Sequence, residues 1–134
     1  MKAAVTSVVV AAFASRHEHH EPARRALDAG VRPIEHCALE AYSLLTRLPP
    51  PHRSSAMVAR DFIRRRFPEP YLRLSAAAYR VFVLGLPERA VTGGAAYDAL
   101  IAATAAASGA ELVTCDRRAA AIYESYGARA RFVG

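Results

Sequence analysis

The chain has 134 residues, 53% of them hydrophobic, with 18 Lys and Arg against 12 Asp and Glu, which gives a net charge of +6 and a pI near 9.9. This fits one domain, residues 1–134, around one core; it excludes a disordered chain, and no apolar run is long enough to span a bilayer. The positive charge is nearly all arginine, whose planar fork of donors suits phosphate, so nucleic acid or an acidic partner is indicated; its spread along the chain equally fits GC-rich coding. Cys37 and Cys115 have no CxxC or Cys/His spacing and read as free thiols of a cytoplasmic protein.

In chain order, residues 2–6 read as a short buried strand with Val5 near its end. Ser7 is a candidate cap for a helix over 8–15, a run read as core rather than as a signal peptide. His17, His19 and His20 lack the i, i+4 spacing of helical metal ligands and read as a solvated loop before a helix over 22–29, closed by Gly30. An extended segment over 31–36 leads into an amphipathic helix over 37–48, whose apolar face is Cys37, Ala41, Leu44, Leu45 and Leu48, with Glu40 on its flank. A proline run ends that helix at residue 49. A second helix follows to about residue 67, ending in Arg64-Arg65-Arg66, then a short segment over 71–74 and a helix over 75–84.

Residues 93–109 form a helix that is apolar or small on nearly every side and is closed by Gly109. A helix of that kind is normally buried. A carboxylate on it, Asp98, needs a partner or a cation, or draws on the favourable field of the helix N-terminus. Residues 110–114 form an apolar strand that stops at Cys115-Asp116. An acid just past a parallel strand lies where open α/β sheets place ligands. A helix over 117–126 and a strand over 129–133 complete the chain. Strands alternating with helices predict an α/β layered domain with a mainly parallel sheet. Glu40, Asp98 and Asp116, drawn from three elements, make a candidate site for a hard divalent ion such as Mg²⁺ or Mn²⁺, with the basic residues available to hold a polynucleotide backbone.

Gly93-Gly94-Ala95-Ala96-Tyr97-Asp98, continuing to Thr104, is similar to the most characteristic helix of the PIN-domain ribonucleases. Leu112-Val113-Thr114-Cys115-Asp116 looks like the last acidic motif of that family, the helix around Glu40 like its Glu helix, and Thr6-Ser7-Val8-Val9 like its opening motif. The chain most closely resembles the VapC-type toxins of bacterial toxin–antitoxin pairs, over essentially its whole length.

The resemblance implies a three-layer α/β/α sandwich with a five-stranded sheet and a Mg²⁺- or Mn²⁺-dependent endoribonuclease. Glu40, Asp98 and Asp116 would carry the metal, Ser7 and Thr114 would orient groups behind it, and Arg117 and Arg118 are the candidate RNA contacts. The implied substrates are structured RNAs, mainly transfer or ribosomal RNA. The implied partners are a VapB-type antitoxin and a second copy of the chain, assembling as a homodimer and, with antitoxin, a heterotetramer or larger, with no membrane. One position departs from the pattern: Val5 stands where the opening motif has Asp, removing an expected oxygen ligand. An isolated loss among intact motifs reads as a disarmed toxin ahead of a naturally degenerate one. The competing reading is a non-catalytic module on the same fold that binds RNA or antitoxin.

Overall fold

A computed structural model describing all 134 residues contains four short strands, β1 (Lys2–Ala4), β2 (Arg32–Pro33), β3 (Glu111–Thr114) and β4 (Ala130–Phe132). They pair in parallel in the order β2–β1–β3–β4. Seven helices surround them: α1 (Thr6–Phe13), α2 (His20–Asp28), α3 (Glu35–Thr46), α4 (Ala56–Arg66), α5 (Ala76–Leu84), α6 (Ala95–Ser108) and α7 (Ala120–Ser125). No helix is long and apolar enough to cross a membrane.

The strand pleat divides the core into two layers. Successive side chains on a strand point to opposite faces. Ala3 and Leu112 therefore join Ile101, Ala102 and Ala105 of α6 and Tyr123 of α7 on one side. Ala4 and Val113 join Val8 and Val9 of α1, Leu27 of α2 and Ile63 of α4 on the other. Both faces of the sheet are covered, as parallel sheets require. The apolar start of the chain is core: Val8, Val9, Ala11 and Ala12 of α1 are buried.

The sheet has four strands, where five were expected. Residues 71–74 contribute only a single parallel bridge, Leu72 to Ile34, with Leu72 N–H donating to Pro33 O at 2.9 Å and Glu35 N–H donating to Leu72 O at 2.8 Å. Pro68 and Pro70 lack ladder donors on one side, and Ser75 caps α5 on the other through Ala78 N–H, so no ladder has room to grow. The first helix also starts earlier than predicted. Val5, not Ser7, is its extended cap residue, and the Ser7 hydroxyl is used across the sheet instead. The predicted last helix divides into a 3₁₀ turn, Arg117–Ala119, and α7.

Gly109 closes α6 as predicted. It takes the left-handed conformation (φ 64°), and its N–H reaches the Ala105 and Ala106 carbonyls. Strand order reverses between β1 and β3, whose carboxyl ends lie side by side. The chain thus presents residues 5–7 and 114–116 together at the edge where such sheets place ligands.

Candidate metal centre

Glu40 comes from α3, whose buried face of Cys37, Ala38, Ala41 and Leu45 leaves it on the rim of the core. Its Oε1 accepts a short hydrogen bond, 2.5 Å, from the Thr6 hydroxyl at the start of α1. Thr6 is itself buried, so the carboxylate is held from beneath. One turn earlier on α3, His36 places Nε2 3.9 Å from the other oxygen, Oε2. That Nε2 is buried with no hydrogen-bond partner. The imidazole lies nearly parallel to the Tyr97 ring, 9° between planes and 5.1 Å between centroids.

Asp98 occupies the first turn of α6, beside buried Ala99, Ile101 and Ala102. Partial burial raises its carboxyl above the usual carboxylate range, and repulsion from Asp116 and then Glu40 pushes it further up; Arg118 opposes this. The three acids therefore share one electrostatic field, although they belong to three elements.

Asp116 leaves the end of β3 and is fixed at both ends. Its backbone N–H donates to the Thr114 hydroxyl at 2.9 Å. Its Oδ1 accepts from Arg118 N–H at 3.0 Å and from Arg118 Nε at 3.1 Å. The Ser7 hydroxyl accepts from Cys115 N–H at 2.9 Å and lies 3.3 Å from the Thr114 hydroxyl. Ser7 and Thr114 thereby tie the first turn of α1 to the end of β3, which sets where Asp116 starts.

Val5 contributes nothing polar from its side chain. It is 3% exposed and packs in the core cluster that includes Ile101 and Ala102. Its backbone carries the turn instead: Val5 N–H donates to Val113 O, and Val5 O accepts from Val8 N–H and Val9 N–H, each at 3.2 Å. The thiols offer no nucleophile. Burial pushes Cys37 up to about 12 and also raises Cys115.

No three His, Cys, Asp or Glu side chains are gathered tightly enough to enclose one ion in this arrangement. Asp116 is committed to Arg118, and position 5 supplies no oxygen. The donor chemistry nevertheless fits a hard divalent cation: three carboxylates on separate elements, one of them pushed up by burial and then by the other two, are a charge distribution that a cation relieves. The two candidate RNA contacts are exposed but each is engaged by a neighbour. Arg118 pairs with Asp116, although its side chain is 92% exposed, and the Arg117 guanidinium lies over the Phe132 ring at 4.8 Å. The two clefts of about 520 and 610 Å³ flank α3 on either side of Leu39 and include none of the three acids.

Sequence reasoning did not single out Thr6, His36 or the return of Arg118 onto Asp116. Thr6 lies inside the recognised opening motif, which is the signal that could have found it. His36 precedes Glu40 by four residues, the spacing that stacks side chains on one helix face.

The sequence pattern of the PIN domain matches residues 4–125. The chain is 51% identical over 119 residues to proteins named Ribonuclease VapC40 from two strains of Mycobacterium tuberculosis, CDC 1551 / Oshkosh and ATCC 25618 / H37Rv, covering 89% of each chain. It is 44% identical over 92 residues to Ribonuclease VapC27 from the second strain, covering 69% of this chain and 66% of that one. With a parallel sheet covered on both faces and acids at its switch point, the chain belongs to the PIN-domain family, as a member of the VapC type.

Proposed function

We propose that this chain is a toxin-type endoribonuclease dependent on Mg²⁺ or Mn²⁺, acting in the cytoplasm on structured RNA, transfer or ribosomal, with its activity impaired by Val5. The observation that carries the reading is the meeting of Glu40, Asp98 and Asp116 from three elements near the switch point, with Asp98 pushed up by burial and then by its two neighbours. A bound divalent ion supplies activation of water and neutralisation of charge at the scissile phosphate. The chain's own residues do the rest. Glu40, Asp98 and Asp116 are the oxygen ligands, and Thr6 fixes the Glu40 carboxylate through its 2.5 Å hydrogen bond. Ser7 and Thr114 set the backbone from which Asp116 projects. Arg118 holds Asp116 in place through its N–H and Nε, and its exposed guanidinium would be within reach of a phosphate. The partners in this reading are a VapB-type antitoxin and a second copy of the chain, joined as a homodimer and as a heterotetramer or larger with antitoxin.

Val5 decides between this reading and a non-catalytic module that binds RNA or antitoxin. Aspartate fits the position locally: the residue is the cap of α1, and an Asp there accepts from the N–H groups of the first turn. It also replaces a side chain packed with Cys37, Ile101 and Ala102 by a fourth carboxylate, whose burial is costly unless hydrogen bonds or a cation offset it. The test is total RNA incubated with this chain or with V5D, with Mn²⁺, with Mg²⁺ and with EDTA. V5D is expected to cut at discrete sites only with metal, at least tenfold faster than the unmodified chain, and Mn²⁺ is expected to raise its melting temperature more than that of the unmodified chain. Equal cleavage by both removes the role assigned to position 5. If neither cleaves nor binds metal, the binding-module reading takes over.

A further inference from the structure

His36 and Tyr97 are not needed to hold a cation, yet they form a stacked pair beside Glu40 and Asp98. Tyr97 directly precedes Asp98 on α6, and His36 lies one turn before Glu40 on α3. Their rings are parallel within 9°, with centroids 5.1 Å apart. Tyr97 is 57% exposed even though His36 covers one ring face, so the remaining face and edge open to solvent. A tyrosine left half in water normally gains little from being held rigid. Here its partner ring is mostly buried: the His36 Nε2 is shielded from solvent and lies 3.9 Å from Glu40 Oε2. The result is a flat, half-covered aromatic surface attached to the same two turns that carry two of the acids.

We propose that Tyr97, backed by His36, is a stacking platform for one unpaired nucleobase of the RNA, placing the adjoining phosphate at the carboxylates. The proposal rests on the ribonuclease reading and adds to it a base-binding residue, Tyr97, and a positioning residue, His36. Every base offers a π-face, so stacking binds without reading a sequence hydrogen bond by hydrogen bond. It selects instead for nucleotides that are already unstacked, in loops and bulges, the form in which structured RNA exposes its bases. Because the platform precedes Asp98 by one residue, it fixes which phosphate lies over the acids; its loss therefore blurs the cleavage position as well as weakening binding.

The chain contains no tryptophan, so Y97W introduces a single indole reporter at the platform. The probes are a ten-nucleotide single-stranded RNA and an abasic strand of the same length, both in EDTA so that no cleavage intervenes. The RNA is expected to quench Y97W emission in a saturable way, and the abasic strand, with the same phosphates, is expected not to. In anisotropy titrations Y97A is expected to bind the RNA roughly 10- to 100-fold more weakly than the unmodified chain, the range set by the loss of one base stack, while Y97F restores binding. H36A is expected to lower affinity less, with rescue by H36F, which keeps a ring beneath Tyr97. On the V5D background with Mn²⁺, Y97A is expected to raise KM and to spread cleavage over neighbouring phosphates. RNA that binds without quenching Y97W, or a Y97A that binds as tightly as the unmodified chain, overturns the platform and leaves the ribonuclease reading standing. RNA that binds no variant, with or without Mn²⁺, overturns both.

Discussion

Asp98 shows how a single half-buried acid weighs on stability. Its carboxyl is raised by burial and by the nearby Asp116 and Glu40 charges, so at neutral pH the folded chain carries a charge it holds less comfortably than the unfolded chain does. The folded state binds the Asp98 proton more tightly than the unfolded state, whose ordinary value is 3.8. The penalty is therefore fully present above the raised value and disappears as pH falls through it towards 3.8. The helix N-terminus returns part of that penalty. D98N is expected to raise the melting temperature in EDTA at pH 7 by about 2 °C, with the gain shrinking on acidification. Saturating Mn²⁺ is expected to reverse the order, because only the carboxylate gains from the ion. Thermal melts from pH 4 to 8 with and without Mn²⁺ check this; a D98N that melts below the unmodified chain in EDTA at pH 7 refutes the crowding argument. The acids themselves were legible in the sequence because each lies in a recognisable local motif. Their supports were less so: Thr6 and Glu40 are 34 residues apart, and Ser7 and Cys115 108 apart, pairings that no local pattern specifies.

All four strands lie inside segments read from the sequence, each shorter than the segment, while the fifth was implied only by the family resemblance. Seven helical segments follow from apolar spacing, serine caps and glycine stops, all of which act within a few residues; Ser55 and Ser75 cap α4 and α5 through Val58 N–H and Ala78 N–H. Strands here are two to four residues long, and what makes them strands is the neighbour each one meets. That is why residues 71–74, apolar and extended like the others, give one bridge instead of a fifth strand. The same contrast makes the α6 terminus a clean test of local physics. Gly109 has φ 64°, and a Cβ added there meets nothing within 4 Å. The only penalty for alanine is then the left-handed backbone, about 1 kcal/mol. G109A is expected to lower unfolding free energy in urea by about that amount with an unchanged m-value, and to leave Mn²⁺ binding by the V5D chain intact. A loss of several kcal/mol would mean that the α6–β3 connection carries more than a helix stop.

On the scale of the whole molecule, the basic residues divide between those held by the chain's own acids and rings and those free to meet phosphate, a division that the net charge of +6 does not show. Arg64 and Arg60 pair with Asp61, and Arg66 and Arg24 reach Asp28, so the Arg64–Arg66 cluster at the end of α4 is largely spent on the chain's own acids. Arg73 faces Glu35, Arg89 covers the Tyr126 ring and Arg117 the Phe132 ring. Basic composition pointed to a phosphate-bearing partner but does not show pairing; Arg64 with Asp61 and Arg24 with Asp28 follow from helical spacing, whereas Arg66 with Asp28 and Arg73 with Glu35 join separate elements. The consequence is a quantitative expectation for RNA binding. Each phosphate neutralised on a single strand contributes a slope of about −0.7 in log affinity against log salt. With Arg118 and Arg117 beside the acids already engaged with Asp116 and the Phe132 ring, a contact with about three phosphates is expected, a slope near −2, so that affinity for a ten-nucleotide RNA in EDTA falls about 100-fold between 50 and 500 mM salt. Anisotropy titrations across that range measure it. A slope steeper than about −4 would mean that the internal ion pairs open and turn outward on binding. A slope near zero would mean that stacking, at Tyr97 or elsewhere, holds the RNA with little help from charge.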